Sequence, residues 1–237
     1  SKFIKKNELK NKLNFKNFEE IEREIFREFS RKIAFEIDQI ENYSAREKTL
    51  SFFYNMNQEL YSNIKLIQII NNDLKSKLAN NELTLGSWIT IGHPAVIEIL
   101  SHAGFDWLTI DMEHTTIDLS VAQNLIASIQ SYDMAALVRV SKNEEVIIKR
   151  VLDAGANGVI VPMISTAEEA KKAVSFAKYP PLGNRGVGLN RAQQYGFAFP
   201  EYKKWVAENL VVIAQIEHID GIKNIEAIIN TEGIDGV

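Results

Sequence analysis

The chain contains no cysteine and only four histidines among its 237 residues, and its first 85 residues hold neither glycine nor proline. Lack of cysteine excludes disulfides, thiolate catalysis and cysteine-ligated metal, and gives no sign of secretion. No apolar run approaches the ~20 residues that cross a bilayer. The N-terminus is charged and helical in pattern rather than signal-like, so no membrane partner is expected and the cytoplasm is the expected location. Twenty-seven basic and 31 acidic residues are interspersed, for a net charge of -4, which leaves no basic face for nucleic acid. The glycine-rich segment 183–188 follows a helical pattern and Pro180-Pro181 instead of opening a helix after a strand, and its spacing is not G-x-G-x-x-G. A dinucleotide site is therefore not expected. Two readings of that segment stay open: a mobile loop carrying Arg185 and Arg191 near an acidic substrate, or a plain connector.

All twelve glycines and all five prolines lie beyond residue 85, which divides the chain in two. Residues 1–70 read as an amphipathic helical extension. Asn17-Phe18-Glu19-Glu20 looks like a helix start, and Ile21, Ile25, Phe29, Ile33, Ile37 and Ile40 follow on one face. A second stripe runs through Leu50, Phe53, Leu60, Ile64 and Ile67, and Asn71-Asn72-Asp73 breaks it before a short helix. Two such helices form a hairpin or pack on a partner, so association, including a homo-oligomer, is expected of them. The absent initiator methionine and the abrupt end at Val237 suggest a piece of a longer product.

From residue 85 onward, strands and helices alternate in βαβ fashion. The apolar run Trp107-Leu108-Thr109-Ile110 ends in Asp111, Glu113 and His114. Residues 135–140 form a strand with Arg139 near its end, residues 158–162 one closed by Pro162, and residues 210–217 one ending in Gln215 and Glu217. Pro94, Asp118 and the box Thr166-Ala167-Glu168-Glu169 mark helix starts, while Gly104 and Gly155 mark stops. This gives five strand–helix units and the start of a sixth at residues 234–237. A complete (β/α)₈ barrel usually takes about 250 residues, so length alone favours an open doubly wound sheet. Either way, C-terminal strand ends face the site. Charge at several strand ends then reads as a site, against the blander reading of Arg139 as an ion-pair partner of Asp111 or Glu217.

The ordered motifs Leu85-Gly86-Ser87-Trp88, Ala103-Gly104-Phe105-Asp106-Trp107, Ile110-Asp111-Met112-Glu113-His114, Val138-Arg139, Leu152-Asp153-Ala154-Gly155, Val161-Pro162-Met163, the 179–188 segment and Gln215-Ile216-Glu217 resemble the HpcH/HpaI aldolases. These are metal-dependent pyruvate aldolases of the 4-hydroxy-2-oxoheptanedioate and 2-keto-3-deoxyglucarate type. The resemblance runs over about 73–237 and implies an α/β fold, the (β/α)₈ TIM barrel, here truncated after the start of strand 6. It makes residues 71–237 an incomplete barrel behind the helical extension. It implies a class II aldolase that cleaves a 4-hydroxy-2-oxo acid to pyruvate and an aldehyde. Glu217 matches the family's metal ligand, with Mg²⁺ or Mn²⁺ expected and Co²⁺ as a borderline alternative. Gln215 and Trp88 fall to substrate binding, and Arg139 to the pyruvate carbonyl region and its enolate. His114 matches the general base, Asp153 the acid that raises its basicity, and Asp111 lies beside the site. The family's second metal carboxylate belongs to a Gly-Pro-x-Asp segment that would follow Val237.

The residue chemistry is compatible on its own terms. A hard oxygen ligand such as Glu217 suits Mg²⁺ or Mn²⁺, arginine stabilises a developing oxyanion, and histidine moves protons near neutrality. No lysine ends an apolar strand, which disfavours a Schiff-base aldolase. His93 precedes Pro94 at the site-facing end, His102 sits near a helix C-terminus, and His218 stays outside the metal set because adjacent strand residues face opposite ways. The alternative function is a non-catalytic truncated barrel whose N-terminal helices mediate protein–protein assembly.

Overall fold

The structure, a computed structural model, describes residues 73–237, so the expected helices of residues 17–70 lie outside the described residues. Each apolar run beyond residue 85 forms a strand: β1 Gly86–Ile89, β2 Trp107–Asp111, β3 Ala135–Arg139, β4 Gly158–Val161 and β5 Val211–Ala214. All neighbours are parallel and the order is β1-β2-β3-β4-β5. A doubly wound open sheet reverses its strand order at a switch point. Consecutive order without reversal is the barrel-like arrangement, and it settles what length alone left pointing the other way. Gly236 makes a parallel bridge to Ile213, and Asp235 N–H donates to Val212 O at 2.8 Å, where a sixth strand would begin.

The helices begin and end where the punctuation predicts. After a short α1 (Leu74–Ala79) comes α2 (Pro94–Ser101), with Pro94 in its first turn and His93 Nδ1 accepting from Ala95 N–H. Asp118 caps α3 (Leu119–Gln130), and α4 (Glu145–Asp153) is followed by Gly155 at φ 108°, a conformation glycine adopts without a Cβ penalty. Thr166 and Glu169 close the expected capping box on α5 (Ala167–Ala177). Beyond it lie a 3₁₀ segment at Arg191–Gly196, α6 (Phe199–Asn209), α7 (Ile219–Lys223) and α8 (Ile225–Ile229). Among the described residues no helix is long and apolar enough to cross a membrane.

Strand parity divides the sheet into two faces. Leu108, Ile110, Ala136, Val138, Val159, Val161, Val212 and Ala214 join the helices in the main core. The alternate set, Thr109, Asp111, Leu137, Arg139, Gly158, Ile160, Val211 and Ile213, lines the inner face. Gly158 is required there, because a Cβ would sit 2.6 Å from Val211 O and 2.8 Å from Leu137 Cδ2. The N-terminal end of this face is plugged by α1: buried Leu74 packs with Ala135, Leu137 and Val211, and Lys75 Nζ donates to Leu210 O at 3.0 Å and pairs with Asp235 at 2.9 Å. The apolar plug leaves the opposite, C-terminal end of the strands for polar groups.

Lys178 is buried at the end of α5, and its Nζ donates to the Val206 carbonyl at 2.6 Å. Burial, with Lys75 nearby, pushes its pKa down to about 8. Between about pH 8 and the ordinary lysine value the unfolded chain therefore holds a proton that the folded protein has shed. Stability should rise with pH through that window, by about 3 kcal/mol at most. Urea unfolding between pH 7.5 and 10 is the check: Lys178→Met should remove that rise, and an unchanged pH slope in the variant would refute it.

Candidate functional site

β2 and β3 are in register at their ends, Asp111 opposite Arg139. Both side chains point to the inner face and meet side-on: Arg139 Nε donates to Asp111 Oδ1 at 3.0 Å and Nη2 to Oδ2 at 2.6 Å. Asp111 is 3% exposed. Its Oδ1 also accepts from the backbone N–H of Glu113 at 3.0 Å and of His114 at 3.2 Å, so one carboxylate fixes both the arginine and the loop carrying the histidine. Burial raises the Asp111 pKa, but the arginine and the two backbone donors outweigh it and hold the carboxyl below its ordinary value. The blander sequence reading, an Arg139–Asp111 ion pair, is thus present in the structure. It stands at the strand ends and leaves Arg139 Nη1 without a hydrogen-bond partner among the described residues.

Trp88, from β1, lies under the guanidinium, with Arg139 Cζ 4.5 Å from the ring centroid. Glu113 brings Oε2 to 3.4 Å from Arg139 Nε and 3.7 Å from His114 Nε2; this oxygen is buried and has no hydrogen bond. The Arg139 pKa is raised, first by the hydrogen bond to Asp111, then, against burial, by the charges of Asp111, Glu113 and Glu217. Three carboxylates therefore act on one guanidinium. His114 is two-thirds exposed at the mouth of the site.

The segment 210–217, expected as one strand, is strand only over Val211–Ala214. Gln215 continues the pairing with β4, as its N–H donates to Val161 O at 2.9 Å and its carbonyl accepts from Ile164 N–H at 3.1 Å. Glu217 lies beyond it, exposed, with Oε2 accepting from Met163 N–H at 3.0 Å. No cluster of three or more His, Cys, Asp or Glu side chains that could hold a metal forms among the described residues. His218 caps α7, with Nδ1 accepting from Asp220 N–H at 3.2 Å.

Asp153 does not join His114. It ends α4, and helices of a parallel βα fold run back to the N-terminal strand ends. The adjoining loop confirms this, since Asn157 Oδ1 accepts from Ala136 N–H at the start of β3. There Asp153 pairs with Arg185 at 2.6 Å, with Gln193 at 3.3 Å. Arg185 is fully buried and lies 4.6 Å from the Tyr179 ring centroid. Arg191 donates to Ala154 O at 3.0 Å and Gln130 Oε1 at 2.9 Å. Neither arginine faces an acidic substrate at the strand tips: both lock the opposite end of the sheet.

The HpcH/HpaI aldolase/citrate lyase family model matches residues 84–237. The chain belongs to the HpcH/HpaI aldolase/citrate lyase family. Among curated relatives, it is 39% identical over 170 residues to a 5-keto-4-deoxy-D-glucarate aldolase of Klebsiella pneumoniae and 40% identical to that of Salmonella paratyphi A, in each case over 71% of this chain. It spans 66% of the length of these relatives. An HpcH/HpaI family structure from Burkholderia cenocepacia superposes with a TM-score of 0.64 at 34% identity, covering 69% of this chain and 66% of that one. The citrate synthase SbnG superposes with a TM-score of 0.61 at 30% identity, covering 68% and 62%. These HpcH/HpaI neighbours agree with a TIM-barrel-like α/β fold for residues 73–237.

Glu113, read from the sequence only as one of the charges at the strand exit, proves to reach both Arg139 and His114. Met163 carries no local signal, since nothing in its residue type announces φ 57°. Removing the charge of Asp153 should leave Arg185 buried and unpaired, so Asp153→Asn should cost about 3 kcal/mol of stability. Chemical denaturation measures it, and a loss below about 1 kcal/mol would show that Tyr179 and Tyr202, whose hydroxyl lies 3.4 Å from Arg185 Nη1, suffice to hold the arginine.

Proposed function

We propose that the complete protein is a divalent-cation-dependent lyase on a (β/α)₈ barrel that cleaves a 4-hydroxy-2-oxo acid to pyruvate and an aldehyde. The curated relatives support the substrate class: 5-keto-4-deoxy-D-glucarate, numbered from its other carboxylate, is a 4-hydroxy-2-oxo diacid. The observation that carries the reading is the negative charge gathered at the strand ends, where Asp111 and Glu113 both reach the Arg139 guanidinium, at 2.6 and 3.4 Å, with Glu217 beyond them. Glu113 Oε2, buried without a hydrogen bond, belongs to the same gathering. Such a site fits a divalent cation. Mg²⁺ commonly uses one or two carboxylates and keeps several waters, so Glu217 is the residue that would hold it, with Mn²⁺ equally suited. When bound, the cation supplies Lewis acidity to the 2-oxo acid's carbonyl and carboxylate.

The chain's own residues supply the rest. His114, reachable from solvent, takes the proton of the 4-hydroxyl. The C3–C4 bond then breaks, its electron pair passing into the pyruvate enolate as the aldehyde carbonyl forms. Proton return to C3 completes pyruvate. Arg139, held by Asp111 and backed by Trp88, presents Nη1 to the enolate oxygen, while the Gln215 amide, which has no partner among the described residues, orients the 2-oxo acid.

Pyruvate release from 4-hydroxy-2-oxo acids by the complete protein tests the proposal. Exhaustive chelation should abolish turnover, Mg²⁺ or Mn²⁺ should restore it, and borohydride should trap nothing; turnover that survives chelation would sink it. Arg139→Lys keeps the charge but loses the planar fork, so kcat should fall by the equivalent of about 2–4 kcal/mol. Unfolding curves taken alongside should move less than that, and a melted variant whose surviving fraction is fully active would return Arg139 to a structural role.

A further inference from the structure

The motif Val161-Pro162-Met163-Ile164 sits where β4 leaves the sheet and has no part in the chemistry above. Its backbone grips the 215–217 segment at three points. Val161 O accepts from Gln215 N–H at 2.9 Å, Ile164 N–H donates to Gln215 O at 3.1 Å, and Met163 N–H donates to Glu217 Oε2 at 3.0 Å. Pro162 has no N–H, so Met163 supplies the first donor past the end of β4. Met163 adopts φ 57° although it has a Cβ, and its side chain is 53% exposed. Burial therefore does not explain this left-handed backbone. Such a conformation is unfavourable for a non-glycine residue and persists where surrounding contacts over-determine it. The contacts are present on both sides. Gly221 lets α7 approach the turn so closely that a Cβ would lie 2.9 Å from Ile164 O, and Asn224 Nδ2 donates to Ser165 O at 2.9 Å.

We infer that this exit turn is the positioning device of the site, its left-handed Met163 peptide holding one Glu217 oxygen so that the other is presented to a divalent cation. The inference rests on the reading of Glu217 as the cation's ligand. Met163 acts through its backbone donor, not its thioether. A β-branched residue is the least tolerant of the left-handed conformation, whereas glycine takes it freely.

The test measures Mn²⁺ alone, by electron paramagnetic resonance, on the full chain. Met163→Val should weaken Mn²⁺ binding by about tenfold or more, as loss of a ligand's supporting hydrogen bond commonly does. Met163→Gly and Met163→Leu should stay within about threefold of the parent. A Met163→Val protein that binds Mn²⁺ like the parent, or a Met163→Gly protein as weak as Met163→Val, would overturn the inference. Should Met163→Val fail to fold, the Met163 amide decides without it. In Glu217→Ala, which removes the acceptor, that amide should shift upfield and exchange faster with solvent, and an unmoved amide would overturn the hydrogen bond itself. Unchanged Mn²⁺ affinity in Glu217→Gln instead strikes the ligand assignment, a separate failure from that of the turn.

Discussion

The buried side-on pairing of Asp111 with Arg139 is the interaction on which the rest of the site depends. Two charges this well shielded are tolerable only when each is matched, and removing either partner leaves the other exposed to the full desolvation penalty. The match is more than pairwise. Asp111 also accepts two backbone N–H groups of the loop that follows β2, and that loop carries Glu113 and His114. One carboxylate thus sets the arginine's angle and the histidine's starting point together. The arginine in turn uses Nε and Nη2 on the pair, and its third nitrogen, Nη1, has no hydrogen-bond partner among the described residues.

The two ends of the sheet solve different problems. At the N-terminal end, among the described residues, shielded charges have partners that hold chain segments together: Asp153 with Arg185, Lys75 with Asp235, Lys178 with the carbonyls that close α6. Leu74 seals the inner face beneath them. At the C-terminal end the balance is left uneven, three carboxylates to one guanidinium, with an unbonded buried oxygen on Glu113. Rigidity below and unmatched charge above is the division of labour expected of a βα scaffold whose strand tips carry chemistry.

Much of this was legible in residue order because it is local. Apolar runs specified the strands, and Asp118, Thr166 with Glu169, Pro94 and Gly155 specified helix ends through their own short-range hydrogen bonds and backbone preferences. In the structure strand parity sets Trp107, Thr109 and Asp111 on the face opposite Leu108 and Ile110. Within this chain Asp153 pairs with Arg185 instead of reaching His114, and the topology supplies the reason. A helix that follows a parallel strand must return, so its last residue arrives near the strand starts, at the end of the sheet opposite His114. Arg185 and Arg191, read as candidates for an acidic substrate, miscarried in the same way: the connection they occupy also begins at the returning end of a helix.

Strand periodicity misleads in one further respect at the edge of the sheet. Residues 210–217 read as one strand ending in Gln215 and Glu217, yet regular strand stops at Ala214. Past that point the pleat no longer dictates direction, and a side chain's aim must come from contacts outside its own element. For Gln215 these are backbone bonds to Val161 and Ile164; for Glu217 the contact is a peptide N–H from a residue 54 positions away. Chemistry is concentrated at strand tips because the scaffold ends there and side chains become reachable. The same ending removes the periodic order that would have aimed them, so a second segment must take over. In this chain the segment is the exit of β4, whose proline withholds one donor and whose left-handed methionine supplies the next.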